Sequence, residues 1–182
     1  MSRDEIKLGG FGGQGVILSG IIVGKAAALY DNKEATLTQA FGPEARGSAC
    51  SAQVVVSSER ILYPYVTKPN IMVLMSQDAY NRFSKEVAPG GTLIIEEELV
   101  KPQTVPEGAQ VYKIPATRIA EELGKKLVVN IVMVGFFAAI TNIVDPQAIR
   151  KAVEDSVPKS TIDVNLKAFD RGFDYGKALT RA

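Results

Sequence analysis

Two short stretches carry residue types at spacings that could do chemistry. The first is Gly10-Phe11-Gly12-Gly13-Gln14-Gly15, a G-x-G-x-x-G pattern. It follows an apolar run, 6–10, that reads as a strand, and it precedes 16–29, which reads as a helix. Glycine accepts positive φ in a tight turn and lets backbone N–H groups come close to a ligand. The helix N-terminus behind the loop carries partial positive charge suited to phosphate. Such a loop either cradles an anion or simply lets the chain turn and the helix pack. The second stretch is Phe41-Gly42-Pro43-Glu44-Ala45-Arg46-Gly47. Gly42-Pro43 sets a turn, and Arg46 can offer a two-pronged donor to a phosphate or carboxylate. The alternative is a solvated loop with an incidental Glu44–Arg46 pair.

Neither stretch completes a familiar nucleotide site. A dinucleotide fold places an acid after its second strand to hold the ribose hydroxyls. Here the strand at 34–39 runs into Ala40-Phe41, and the next acid, Glu44, lies in the proline-containing loop. No lysine follows the last glycine, as it would in a phosphate loop of the Walker type. The remaining polar residues have local explanations. Cys50 reads as a small buried hydrophobe rather than a redox group. Gln77-Asp78 and Asn130 read as helix caps, and Glu96-Glu97-Glu98 as a solvated strand end.

Composition narrows the function further. The chain of 182 residues, 46% hydrophobic, is long enough for one domain with a proper core. It has no histidine, so the commonest general base is missing, as are Ser–His and Cys–His nucleophile pairs. Its one cysteine cannot ligate an iron–sulfur cluster alone, and zinc sites of Cys and His are excluded. No metal ligand set and no catalytic residue are expected here; if the chain belongs to an enzyme, much of the chemistry is expected to sit elsewhere. A net charge of +1 without basic runs argues against nucleic acid as a partner. No apolar run reaches the ~18 residues of a membrane span, and no cationic, then apolar leader is visible. A cytoplasmic protein without membrane partners is expected.

The elements that must position these loops follow from periodicity and punctuation. Strands are predicted at 6–10, 34–39, 49–57, 70–75, 92–95 and 110–114. Helices are predicted at 16–29, 77–87, 117–123, 130–143, 146–156 and 162–179. Gly20 and Gly24 share one helix face, which predicts close packing there. Residues 49–57 alternate, with Cys50, Ala52, Val54 and Val56 on one side, as in a half-buried strand whose hairpin partner is 61–63. Asp145-Pro146 and Ser160-Thr161 mark helix starts. The fold class is α/β: a single domain over 1–182 with a Rossmann-like, mostly parallel sheet flanked by helices, an antiparallel insertion over 49–63 and a helical C-terminal end. Ligands of such sheets sit at the carboxyl ends of the strands. Both candidate loops follow strands, so they should converge on one edge.

The order strand–GFGGQG–helix, then GPEARGSACSAQVVVS, then PNIMVLMSQDAY, resembles the gamma subunit of 2-oxoacid:ferredoxin oxidoreductases. The similarity runs from about Ile6 to Ile143 and is strongest for the 2-oxoglutarate type, with pyruvate and 2-oxoisovalerate types as relatives. Phe41 and Ser48 depart from the family's YGPEARGG. The resemblance implies a multi-subunit enzyme that decarboxylates a 2-oxoacid, forms an acyl-coenzyme A and reduces ferredoxin. It implies alpha and beta partners, and a delta partner in some assemblies. Thiamine diphosphate with Mg2+ would lie between alpha and beta, and iron–sulfur clusters in beta or delta. The gamma chain would hold none of these and would be inactive alone. Carried over, Gly10, Gly12, Gly13, Gln14, Gly15 and Arg46 become candidates for a coenzyme A phosphate or for a subunit interface. A free-standing NAD(P)-dependent reductase and a non-catalytic interaction module are the alternatives.

Overall fold

Six runs of strand length share one sheet, and their burial decides which lie at its centre. The computed structural model describes residues 3–40 and 49–181. Strands β1 (Arg3–Phe11), β2 (Glu34–Ala40), β3 (Ala49–Ser57), β4 (Ile71–Leu74), β5 (Thr92–Glu96) and β6 (Gln110–Ile114) form it in the order β2-β3-β1-β4-β5-β6. β1, β4, β5 and β6 run parallel, with Ile6 opposite Ile71 and Ile71 opposite Thr92. Ile71–Leu74 is buried throughout, as a central parallel strand requires.

β3 is the antiparallel element, and it lies between β1 and β2 rather than at the margin. It pairs with both, placing Phe11 opposite Ala49 and Ala40 opposite Ser51. This corrects two expectations. Residues 61–63 are not a strand, because both edges of β3 are already occupied; Glu34 instead accepts from the Ile61 N–H at 2.6 Å, and Arg3 donates to the Tyr63 and Tyr65 carbonyls. The insertion over 49–63 therefore reduces to β3 alone. β3 is also buried on both faces rather than half-buried, with Val54 and Val55 both at 0% exposure.

The helices are α1 (Val16–Lys25), α2 (Gln77–Phe83), α3 (Ala116–Glu122), α4 (Val129–Thr141), α5 (Pro146–Glu154) and α6 (Ile162–Arg181). α1 ends in a π-helical turn, Ala26–Tyr30. One sheet face carries the main core, built from Ile6, Leu8, Val54, Val73 and Ile94 against α1 and α3 to α6. The other face meets α2 through a smaller cluster around Met72, Leu74, Leu93 and Tyr80. Gly20 packs closely as expected, since a Cβ there would lie 2.7 Å from that of Ala52, but Gly24 does not, because one turn further on a Cβ would lie 3.9 Å from a Val54 methyl, an ordinary contact.

The long apolar run is helix α4, buried continuously from Asn130 to Ala139. A helix apolar on every side belongs in a core. It crosses α6 so closely that a Cβ on Gly172 would stand 2.0 Å from the Val132 carbonyl oxygen. α6 is amphipathic and buries Ala168, Phe169, Gly172 and Gly176. Asp145 caps α5 through the N–H groups of Gln147 and Ala148, with Pro146 in the first turn. The start at Ser160-Thr161 is a 3-10 turn, Lys159–Thr161, that leads into α6. No described helix is long and apolar enough to cross a membrane.

Candidate functional site

The parallel strands end at one edge, and β2, antiparallel to β3, ends there as well. The glycine loop leaves β1 at Phe11, whose partner Ala49 closes the segment 41–48 that leaves β2. The two candidate loops are therefore attached side by side, as expected. Arg46 and the rest of 41–48 lie outside the described residues.

Within the glycine loop the glycines do different jobs. Gly13 and Gly15 adopt φ of 95° and 73°, the left-handed region that a side chain strains. Gly10 is required by proximity, because a Cβ would stand 2.6 Å from the Gln14 Oε1 and 2.8 Å from a Val16 methyl. Gln14 folds back over the turn: Oε1 accepts from the Phe11 N–H at 2.7 Å, and Nε2 donates to the Met75 carbonyl at 3.0 Å. Phe11, Gly12 and Gly13 are exposed. Among the described residues, no group accepts from the Gly12 or Gly13 N–H.

Behind the loop, Gly15 caps α1 without a side-chain hydrogen bond, and no acid occupies the first turn. The first N–H groups of a helix lack intrahelical partners, so this end attracts an anion. The Gly15 carbonyl accepts from the Ser19 N–H and hydroxyl, and from the Asn130 side chain at 3.3 Å.

Asn130 is the residue that sequence reasoning misassigned. It does not cap α4; it lies inside the helix, 3% exposed, and reaches the glycine loop. A lone amide at the head of a wholly apolar helix was the available signal, because a buried polar group needs a partner. Glu96 is a second correction. It is 0% exposed, and its carboxylate accepts from the N–H groups of Glu98, Leu99 and Thr117 at 2.9, 2.6 and 3.0 Å. It braces the turn after β5 and the start of α3 instead of facing solvent. At α2 the cap is the Ser76 hydroxyl, accepting from the Ala79 N–H, with Asp78 in the first turn. Cys50 is buried opposite Gly10, and burial pushes its thiol up, away from the reactive thiolate.

This arrangement can hold an anion by backbone donors, and among the described residues it presents no nucleophile or acid–base pair at the loop. It is also a poor dinucleotide site. In that fold the second parallel strand lies beside the first and delivers the ribose-binding acid. Here β3 takes that place, and β2 ends in Ala40, one strand further out.

A family model described as pyruvate ferredoxin/flavodoxin oxidoreductase matches residues 5–175. The 2-oxoglutarate synthase subunit KorC of Methanocaldococcus jannaschii is 51% identical over 179 residues, covering 97% of this chain and 96% of that protein. The gamma subunit of a keto/oxoacid ferredoxin oxidoreductase from Geobacter sulfurreducens has the same fold, with a TM-score of 0.86 at 34% identity over 96% of this chain and 99% of its own. The 2-oxoglutarate:ferredoxin oxidoreductase of Magnetococcus marinus, solved with 2-oxoglutarate, coenzyme A and succinyl-CoA bound, matches with a TM-score of 0.89 at 26% identity. That match covers 100% of this chain and 32% of the longer polypeptide.

Proposed function

The chain belongs to the pyruvate ferredoxin/flavodoxin oxidoreductase family, among its gamma-type subunits, and from that premise we propose that it serves a 2-oxoglutarate:ferredoxin oxidoreductase. The complex removes the C1 carboxyl of 2-oxoglutarate as carbon dioxide, joins the remaining acyl group to the coenzyme A sulfur with loss of the thiol proton, and passes the two electrons released, one at a time, to ferredoxin. The observation that carries this reading is the 51% identity to a 2-oxoglutarate synthase subunit along nearly the whole of both chains.

The chain's own part is accessory. With no histidine and one buried cysteine, it leaves thiamine diphosphate, Mg2+ and the iron–sulfur clusters to alpha, beta and, where present, delta partners. Thiamine diphosphate supplies the carbon nucleophile for decarboxylation there, and the clusters carry the electrons. In this reading the loop of Gly10, Gly12, Gly13, Gln14 and Gly15 serves coenzyme A. The N–H groups of Gly12, Gly13 and the first turn of α1 receive one of its phosphates, and Arg46 on the adjoining segment adds a charged donor. An apolar groove of about 310 Å³ between α1 and β2, with Gly20 and Gly24 in its wall, and the exposed Leu62 are surfaces of the kind that partner subunits cover.

Co-purification from the native source, with mass-spectrometric identification of partners, tests the assembly. A thiamine-diphosphate-binding chain should accompany this one; isolation alone with micromolar NADH affinity would favour a free-standing reductase. Gly12→Val should weaken coenzyme A binding by the assembled complex without dissociating it. If assembly fails while residual complex binds coenzyme A normally, the loop is structural. Arg46→Ala should lower activity or assembly, and unchanged kinetics with unchanged stoichiometry would remove that role.

A further inference from the structure

The geometry points to Gln14 and Asn130 as positioning residues that set the glycine loop from its two ends and do not themselves touch ligand. This rests on the reading of the loop as a coenzyme A cradle. At the front, both ends of the Gln14 amide are committed within the chain, to the Phe11 N–H and the Met75 carbonyl. The second bond ties the loop to the residue that follows β4, and the Met75 N–H in turn donates to the Gly9 carbonyl at 2.9 Å. A Cβ on Gly10 would stand 2.6 Å from the oxygen of the folded-back amide, so glycine there leaves the amide its place. At the back, the Asn130 amide of α4 reaches the Gly15 carbonyl, and a Cβ on Gly15 would stand 2.4 Å from its nitrogen. Between these braces lie Gly12 and Gly13, exposed, with N–H groups that no described residue accepts from. Glycine loses more conformational freedom on ordering than any other residue, so an unbraced loop would lose affinity each time it closed on an anion. The two amides meet that cost during folding, before ligand arrives.

The test uses Gln14→Met in the assembled enzyme, which keeps the side chain's length and removes its amide. Loss of two hydrogen bonds should raise the KM for coenzyme A by about tenfold. kcat, the KM for 2-oxoglutarate and subunit stoichiometry should not change. Hydrogen exchange in peptides over 9–16 should accelerate, because the Phe11 amide loses its acceptor. Asn130→Ala should give the same signature at smaller amplitude, and it decides the matter if Gln14→Met does not assemble. A raised KM with unchanged exchange would overturn the positioning role, since the side chain would then be touching the ligand. Accelerated exchange with an unchanged KM would leave the brace standing and overturn the coenzyme A reading. If neither moves, the brace itself is refuted.

Discussion

Gly172→Ala sets two opposed effects against each other, and the structure says which wins. In an isolated helix the change is favourable by ~1 kcal/mol, because alanine has less backbone freedom to lose. In α6 the new methyl would stand 2.0 Å from the Val132 carbonyl oxygen and 3.0 Å from the Phe136 nitrogen. Both are backbone atoms of α4, so no rotamer change relieves the clash. An ordinary carbon–oxygen contact is about 3.3 Å, so the helices must part by roughly 1 Å at the crossing. A gap of that order forfeits up to about half of the dispersion energy between facing atoms. The residues affected include Phe136 and Phe169, both nearly fully buried. Overpacking of this kind costs about 3 kcal/mol or somewhat more, leaving a net loss of ~2–3 kcal/mol. For a chain of this size that is a fall in Tm of roughly 5–10 °C. Gly24→Ala in α1 is the control, because a Cβ there would lie 3.9 Å from a Val54 methyl, an ordinary contact. It should gain up to ~1 kcal/mol and raise Tm by about 2–4 °C. Thermal and urea unfolding of the purified chain measure both. A Gly172→Ala variant as stable as the parent would refute the argument from the crossing.

Two carboxylates give further tests. Burial pushes the Glu5 carboxyl up, but the N–H groups of Lys68 and Thr67, with the Arg3 guanidinium, outweigh it and hold the carboxyl below its ordinary value of 4.5. A depressed carboxylate stabilises fully above the unfolded value and loses that contribution as pH falls through the folded one. The stability gap between the parent and Glu5→Gln should therefore be full at pH 7 and close as pH drops through 4.5 and below; a gap that widens on acidification would contradict the assignment. Glu96→Ala strands three backbone N–H groups in a buried site. It should cost about 3 kcal/mol or more and speed hydrogen exchange at 98, 99 and 117, whereas a solvated glutamate would cost almost nothing.

The succession of strands and helices was legible because local rules govern it. Continuous apolar runs bounded by glycine and proline gave β4 and α4, and Asp145-Pro146 marked the start of α5 to the residue. That both loops are attached at one sheet edge, at Phe11 and between Ala40 and Ala49, followed from the same reading. The partner of β3 did not. Alternation along 49–57 specifies a strand and its faces but does not say which strands will flank it, and the neighbouring residues in sequence lost to β1 and β2. Asn130 and Glu96 were misread for a related reason. A polar residue at the end of an apolar run looks locally like a cap or a solvated end, but the Asn130 amide meets a carbonyl 115 residues away. Glu96 collects a donor 21 residues on.

The sequence by itself determined which chemistry this chain lacks, with no histidine and a single cysteine. It also determined where the backbone turns, because glycine at 13 and 15 permits positive φ whatever surrounds it. Only the tertiary structure decided which polar groups hold that turn in place. Gln14 finds the Met75 carbonyl and Asn130 finds Gly15 because β4 and α4 pack beside β1 and α1. Those contacts join residues 61 and 115 positions apart, a separation at which local propensity carries no information and burial selects the partner.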